Sequence, residues 1–261
     1  MTSLTGVSLA AVGLDAAALK PAEVDLSRAT DLDVPVLTVD YEGAEHVPAP
    51  RTLAALADSH EVRLTVPVRA DGFDPLGDDR HLRALPDAVG SVLVAGHPTY
   101  LDADERTRAI APRFRAASEH VTDPWVGTEG VGRVALATGH TQFELLTGHT
   151  EREVRALRAA GFDGEVACYA PTVLTRSGDA VLDAVGAYAA RRGPVADVLP
   201  DDAPIDSAAT GTARETLLEA CREYALVGTP EAVRERIGAL REAGVDTVVG
   251  YPARGLEPLL S

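Results

Sequence analysis

The 261-residue chain predicts an α/β protein folded as a single eight-stranded parallel βα-barrel, a TIM barrel, and three features lead there. Short apolar runs alternate with segments of helical periodicity, as repeated parallel βα units require. Eight such runs are present, the number that closes a barrel. Several are apolar at every position, as in strands buried on both faces. A chain of this length that is 46% hydrophobic can bury a full core as one domain over residues 1–261.

The predicted strands cover residues 6–12, 34–41, 62–69, 91–96, 120–126, 134–138, 166–169 and 247–251. Helix signals fill most gaps. Thr150-Glu151-Arg152-Glu153 has capping-box spacing, Val154 and Leu157 follow it, and Gly161 supplies a left-handed stop. Thr229-Pro230-Glu231 caps a second helix, whose Val233, Ile237 and Leu240 share a face before Gly244 ends it. The two units look alike: Leu157-Arg158-Ala159-Ala160-Gly161-Phe162-Asp163 leads to Tyr169, and Leu240-Arg241-Glu242-Ala243-Gly244-Val245-Asp246 leads to Tyr251. An internal repeat or convergent helix-stop chemistry would give this pattern, and either supports tandem βα units. Residues 193–212, rich in Pro, Asp and Ala and without periodicity, read as a functional lid or as a solvated connection.

Forty acidic residues face 24 basic ones, and Lys20 is the one lysine among the latter. A net charge of −16 repels phosphate backbones and anionic lipid, which argues against nucleic acid and membrane surfaces as partners. The same lysine-poor acidity suits high salt, where self-repulsion is screened, so a salt-adapted, haloarchaeal-type source is expected. No apolar run approaches the ~18 residues of a membrane span. The first residues lack the basic region of a signal peptide, so a cytoplasmic protein is expected. Cys168 and Cys221 form no CxxC pair and read as reduced structural thiols.

Three blocks carry a resemblance to a known family. Leu226-Val227-Gly228-Thr229-Pro230-Glu231-Ala232-Val233, continuing through Arg241-Glu242-Ala243-Gly244-Val245-Asp246-Thr247, is similar to the last barrel unit of the luciferase-like monooxygenases, a family that includes deazaflavin (coenzyme F-420)-dependent oxidoreductases. Val166-Ala167-Cys168-Tyr169 followed by residues 179–185 is similar to the seventh strand and helix of the deazaflavin-dependent members. Pro50-Arg51-Thr52-Leu53-Ala54-Ala55-Leu56-Ala57 before Val62-Arg63-Leu64-Thr65 resembles the second helix and third strand. The resemblance implies FMN or deazaflavin coenzyme F-420 as cofactor, hydride transfer or flavin-linked oxidation of a small organic substrate, and a homodimer. The sequence departs from the family at Asp40-Tyr41, where relatives often have Asp-His, and at Arg69, where a small hydroxyl residue often ends the third strand. Residues 96–133 are also shorter than the region that typical members use to cover the ring.

In a βα-barrel the site lies at the carboxyl ends of the strands. The predicted ends carry Asp40, Tyr41, Arg69, His97, Thr138, Gly139, His140, Tyr169, Tyr251 and Arg254. The expected cofactor-binding set is Asp40, Arg69, Thr138, Gly139, His140 and Thr141. If residues 142–146 are helical, the first amides of that helix would bind phosphate, at the place where the family holds its cofactor phosphate. An ordinary glycine turn capped by Thr141 is the alternative. His97 is the candidate catalytic residue, a proton donor with a reference pKa of ~6.5, or else a loop cap. His140 and His149 have no HxH or HExxH spacing, so no metal is expected. Gly130-Val131-Gly132-Arg133 precedes a predicted strand instead of following one, which excludes a dinucleotide fingerprint, and neither GxSxG nor GxxxxGK[ST] is present. Two further readings stay open: a degenerate barrel that has lost its cofactor and serves as a binding or scaffold protein, and an unrelated barrel enzyme for a phosphorylated metabolite clamped by Arg69 and Arg254.

Overall fold

In the computed structural model, which describes residues 8–96, 101–127, 137–257 and 259, the apolar runs form the strands of one sheet. They are β1 (Ala16–Leu19), β2 (Val36–Val39), β3 (Glu61–Pro67), β4 (Val89–Val94), β5 (Trp125–Gly127), β6 (Thr141–Leu145), β7 (Val166–Leu174), β8 (Leu226–Gly228) and β9 (Thr247–Pro252). Strands β1 to β7 pair in parallel in chain order, and β9 pairs with both β7 and β1. Eight strands thereby close a barrel. The remaining one, β8, pairs with the last residues of β7. Leu146 N–H donates to the Tyr169 carbonyl and Thr175 N–H to the Gly228 carbonyl, so odd residues of β7 face β6 and β8 alike, and β8 continues that edge beyond β6.

Between the strands lie α1 (Pro50–Ala57), α2 (Arg80–Arg83), α3 (Ala103–Thr107), α4 (Ile110–Ser118), α5 (Thr150–Ala159), α6 (Gly178–Ala190), α7 (Gly193–Ala196), α8 (Gly211–Tyr224) and α9 (Pro230–Ala243). Strand β1 shows why the runs are apolar throughout. Ala16 and Ala18 point inward among Val92, Trp125, Phe143 and Tyr169, while Ala17 and Leu19 join the outer layer with Leu53, Ile237 and Leu240. The small inward methyls leave the barrel interior to the rings opposite, and each fully buried large side chain stabilises the fold by ~1.5–3 kcal/mol.

Helix α9 forms as its sequence predicts. The Thr229 hydroxyl accepts Ala232 N–H at 3.3 Å, Val233, Ile237 and Leu240 are buried, and Gly244 closes the helix at φ +110°. Helix α5 also forms and is followed by Gly161 at φ +86°, but without the capping box. Thr150 is its first helical residue, and its hydroxyl accepts Thr147 N–H at 2.8 Å, which leaves Glu153 N–H to the His149 carbonyl at 3.0 Å.

Several predicted elements move. Of the predicted strand at 6–12, residues 6 and 7 lie outside the described residues, Ala10–Val12 forms a 3-10 turn closed by Gly13 at φ +92°, and the strand begins at Ala16. Gly13-Leu14-Asp15 is a third copy of the helix-stop pattern, which the apolarity of residues 6–12 concealed. Of 120–126 only the end is strand, because the chain turns before it with Asp123 at φ +44°. Of 134–138, residues 134–136 lie outside the described residues, Ala137 and Thr138 are helical, and the strand is Thr141–Leu145. The three-residue β8 is too short to show a period. Residues 193–212 contain α7 and then dock on α6: Ser207 N–H donates to Asp183 Oδ1 at 3.0 Å, and a Cβ on Gly186 would lie 2.2 Å from the Ile205 carbonyl oxygen.

A repeated brace holds the amino ends of the strands. Arg158 donates to the Gly244 carbonyl (2.7 Å) and to Asp246, which accepts Val166 N–H at 2.7 Å. One unit on, Arg241 donates to the Gly13 carbonyl (2.9 Å) and to Asp15 (2.7 Å), which accepts Val248 N–H at 2.8 Å. The sequence similarity of the two units therefore corresponds to equivalent arginines in equivalent roles.

Candidate functional site

Side chains alternate along each strand, so the last inward residues of neighbouring strands converge at the carboxyl mouth. Lys20 follows β1, Asp40 follows β2, and Tyr169 rises from β7; with Thr65, Phe143 and Leu145 they line a cleft of about 340 Å³. Tyr41 and Glu42 of the loop after β2 line it too, as do Tyr188, Arg191 and Arg192 at the carboxyl end of α6.

Asp40 is the most perturbed carboxyl in the cleft. Its N–H donates to the Leu19 carbonyl at 2.8 Å, which prolongs the β1–β2 ladder. Tyr169 Oη donates to Asp40 Oδ2 at 3.0 Å. Burial pushes the Asp40 carboxyl up to about 7, against the pull of the Tyr169 hydrogen bond and the Lys20 charge, with Glu42 and Glu23 adding to the rise. The group can therefore give or take a proton near neutral pH. Burial and the neighbouring Asp40 hold the Tyr169 phenol well above its ordinary value, so it remains a donor.

A file of rings supports the floor. Phe143 meets Trp125 in a stack at 6.0 Å and Tyr169 edge-on at 5.9 Å, and Tyr169 lies nearly parallel to Tyr251 at 6.5 Å. Lys20 Nζ sits 4.2 Å above the Tyr251 ring and 3.2 Å from Glu23, which also accepts the Tyr251 hydroxyl. The Thr65 hydroxyl on the cleft wall is buried and has no hydrogen-bond partner among the described residues. Such a group costs ~1–3 kcal/mol unless a ligand or water pairs with it.

The expected site residues divide. Asp40, Tyr41 and Tyr169 meet in the cleft, and Tyr251 stacks behind Tyr169. Arg69 is engaged elsewhere: Nε donates to the Ala95 carbonyl at 2.8 Å, and Nη1 donates to the Arg106 and Arg108 carbonyls at 3.1 and 3.2 Å, stitching β4 to the α3–α4 connection. Arg254 lines a separate hollow of about 30 Å³ with Leu9 and Leu174. His97 lies outside the described residues.

Thr138, Gly139, His140 and Thr141 stand at the other end of the barrel, because Thr141 opens β6 and Leu145 closes it at the mouth. The residues read as a helix are strand, so the expected helix N-terminus for phosphate does not exist there. The two-residue alternation of Phe143 and Leu145 inward with Gln142 and Glu144 outward was the overlooked signal.

Cys168 and Cys221 are free thiols pushed up by burial to about 12 and about 11, which makes them poor nucleophiles. Among the described residues no three His, Cys, Asp or Glu side chains converge as a metal site. Sequence reasoning missed Lys20, Thr65, Arg191 and Arg192. Lys20 carried a signal, being the one lysine and two positions beyond inward Ala18. Arg191-Arg192 looked like ordinary cations after a helix end.

Closed parallel strands with helices between them define a TIM barrel, and solved structures share that fold. An F420-dependent secondary alcohol dehydrogenase in complex with an F420–acetone adduct superposes with a TM-score of 0.62 at 12% identity, covering 94% of this chain and 96% of that one. Apo-MsnO8 superposes with a TM-score of 0.56 at 16% identity, covering 99% and 95%. The chain belongs to a family of unknown function, DUF7388, whose model matches residues 9–259. No curated protein matches its sequence. No described helix is long and apolar enough to cross a membrane.

Proposed function

We propose that the protein is a luciferase-like oxidoreductase that binds deazaflavin coenzyme F-420 or FMN in the mouth cleft and oxidises or reduces a small organic substrate. Asp40 carries this reading: its carboxyl titrates near neutrality, is oriented by Tyr169, and opens on a cleft in a fold shared with an F420-dependent alcohol dehydrogenase. The lining suits such a cofactor. Val94, Phe143 and Leu145 offer an apolar surface to a planar ring, and Asp40 and the Thr65 hydroxyl, which has no hydrogen-bond partner among the described residues, offer partners to its polar edge.

A bound cofactor of this class supplies or accepts a hydride. Asp40 handles the matching proton at the substrate oxygen. Ionised, it accepts the proton of an alcohol; protonated, it returns one to a carbonyl. Tyr169 holds Oδ2 and leaves the other carboxyl oxygen to the substrate. The −16 charge supports operation in high salt, so assays belong there. Titration of FMN and of F-420 in molar salt, read by ring fluorescence and melting temperature, tests the proposal. Saturable binding of either supports it, and no response to either overturns it.

A second reading is a barrel that has lost its cofactor and serves as a binding protein. It is favoured by the position of Thr138 to Thr141, the expected phosphate anchor, at the end opposite the cleft. It expects a ligand but no turnover. The phosphorylated-metabolite reading loses its clamp, since Arg69 and Arg254 do not converge.

A further inference from the structure

We infer that Arg191 and Arg192 form a phosphate subsite of the cleft, separate from the Asp40 end, that holds a phosphoryl group carried by the ligand. Both residues line the cleft just beyond the last turn of α6. Arg192 is fixed there: its guanidinium lies 4.2 Å over the Tyr188 ring and 5.6 Å from that of Tyr224. Stacking of this kind leaves the edge of the guanidinium plane free to donate. Its Nε is buried and has no hydrogen-bond partner among the described residues. Arg191 beside it is exposed to the cleft.

Forty acidic residues populate the chain, yet neither arginine has a carboxylate partner among the described residues. A cation at a helix carboxyl end complements the helix dipole. That accounts for positive charge at this position but not for two guanidinium groups that line one cavity and meet no carboxylate among the described residues. The charges acting on Asp40 are those of Lys20, Glu42 and Glu23, not of this pair, so the cleft has an acid–base end and a cationic end. One guanidinium satisfies a carboxylate with two parallel hydrogen bonds. Two adjacent ones match the three terminal oxygens and nearly double negative charge of a phosphate monoester. The inference rests on the cofactor reading only for the ring that accompanies the phosphate.

The test compares FMN with riboflavin, the same ring without phosphate, for the native protein and for Arg191→Ala and Arg192→Ala at matched salt. The native protein is expected to prefer FMN by about ten-fold or more. Each alanine variant should shrink that preference while riboflavin affinity stays constant, and Arg191→Lys should restore part of it. A native protein without the preference, or alanine variants that keep it, overturns the subsite. If neither flavin binds, inorganic phosphate followed by phosphorus NMR line width separates the two ideas. Phosphate binding that the alanine variants abolish keeps the subsite and removes flavin as its ligand; phosphate binding that they leave intact, or none at all, overturns the subsite.

Discussion

At the amino end of the barrel, Arg158 and Arg241 each bridge a glycine carbonyl and a carboxylate, and Asp246 and Asp15 in turn take the N–H groups of Val166 and Val248. At the carboxyl end, the Asp40 carboxyl is driven toward neutrality, and among the described residues the Thr65 hydroxyl has no hydrogen-bond partner and Arg191 and Arg192 meet no carboxylate. The guanidinium and carboxyl groups of the brace satisfy one another, whereas those of the mouth are left for something else. Satisfied groups hold the strands in register. Unsatisfied ones lower stability and make ligand contacts available, which is how a scaffold and a site coexist in one barrel.

The largest effect should come from Asp40→Asn. Loss of the proton acceptor is expected to slow the cofactor-linked reaction by roughly 10²–10⁴-fold. Stability should move the opposite way. Between the ordinary 3.8 and about 7, folded Asp40 keeps a proton that the unfolded chain has released, so its stabilising contribution, full below pH 4, is lost as pH rises through 7. The asparagine variant should therefore melt higher than the native protein at pH 8 and gain nothing at pH 4. An unchanged rate, or a lower melting temperature at pH 8, would break the contrast between the two ends.

Next comes the brace. Asp246→Ala or Asp15→Ala strands a backbone N–H and an arginine, at a cost of about 2 kcal/mol each. Each should lower the melting temperature by roughly 4–8 °C, with ligand affinity unchanged. Gly244→Ala should cost about 1–2 kcal/mol. Its φ is +110°, and its Cβ would lie 2.9 Å from Arg158 Cγ, so denaturant midpoints should fall.

Tyr169→Phe removes the hydrogen bond that lowers the Asp40 titration, so the pH at which the rate turns over should move upward, with only a modest change at the optimum. The smallest effect belongs to His140→Ala. Placed beside Thr141 at the amino end, it should leave FMN and F-420 affinity as they were, and a clear loss of affinity would show that this end takes part in binding.

Much of the scaffold was legible because its signals are local. The Thr229 cap, the α9 stripe and the Gly244 stop lie within one stretch of chain, and each reports a hydrogen bond or packed face that forms there. The errors arose where two signals overlapped. Residues 6–12 are apolar enough for a strand, but Gly13 in the left-handed region ends a turn and starts the strand three residues later. At 138–146 the glycine suggested a strand giving way to a helix, whereas it precedes a strand, and that shift of a few residues carried the phosphate anchor to the wrong end. Asp40 was found because a carboxylate directly after an apolar run marks a strand end. Arg191 and Arg192 come from a helix end far along the chain, and only the closed barrel brings them to the cleft that holds Asp40.

Lys20, the single lysine of the chain, stands on the rim with 29% of its side chain exposed, over Tyr251 and bound to Glu23. Apart from the α-amino group, an amine-selective reagent thus finds one side chain in this sequence, and finds it at the entrance to the cleft. A fluorophore coupled there becomes an address label for the mouth, reporting the arrival of a guest without any engineered cysteine. The same acylation erases the positive charge that helps to hold the Asp40 titration down, so labelling and proton chemistry at this mouth are inseparable.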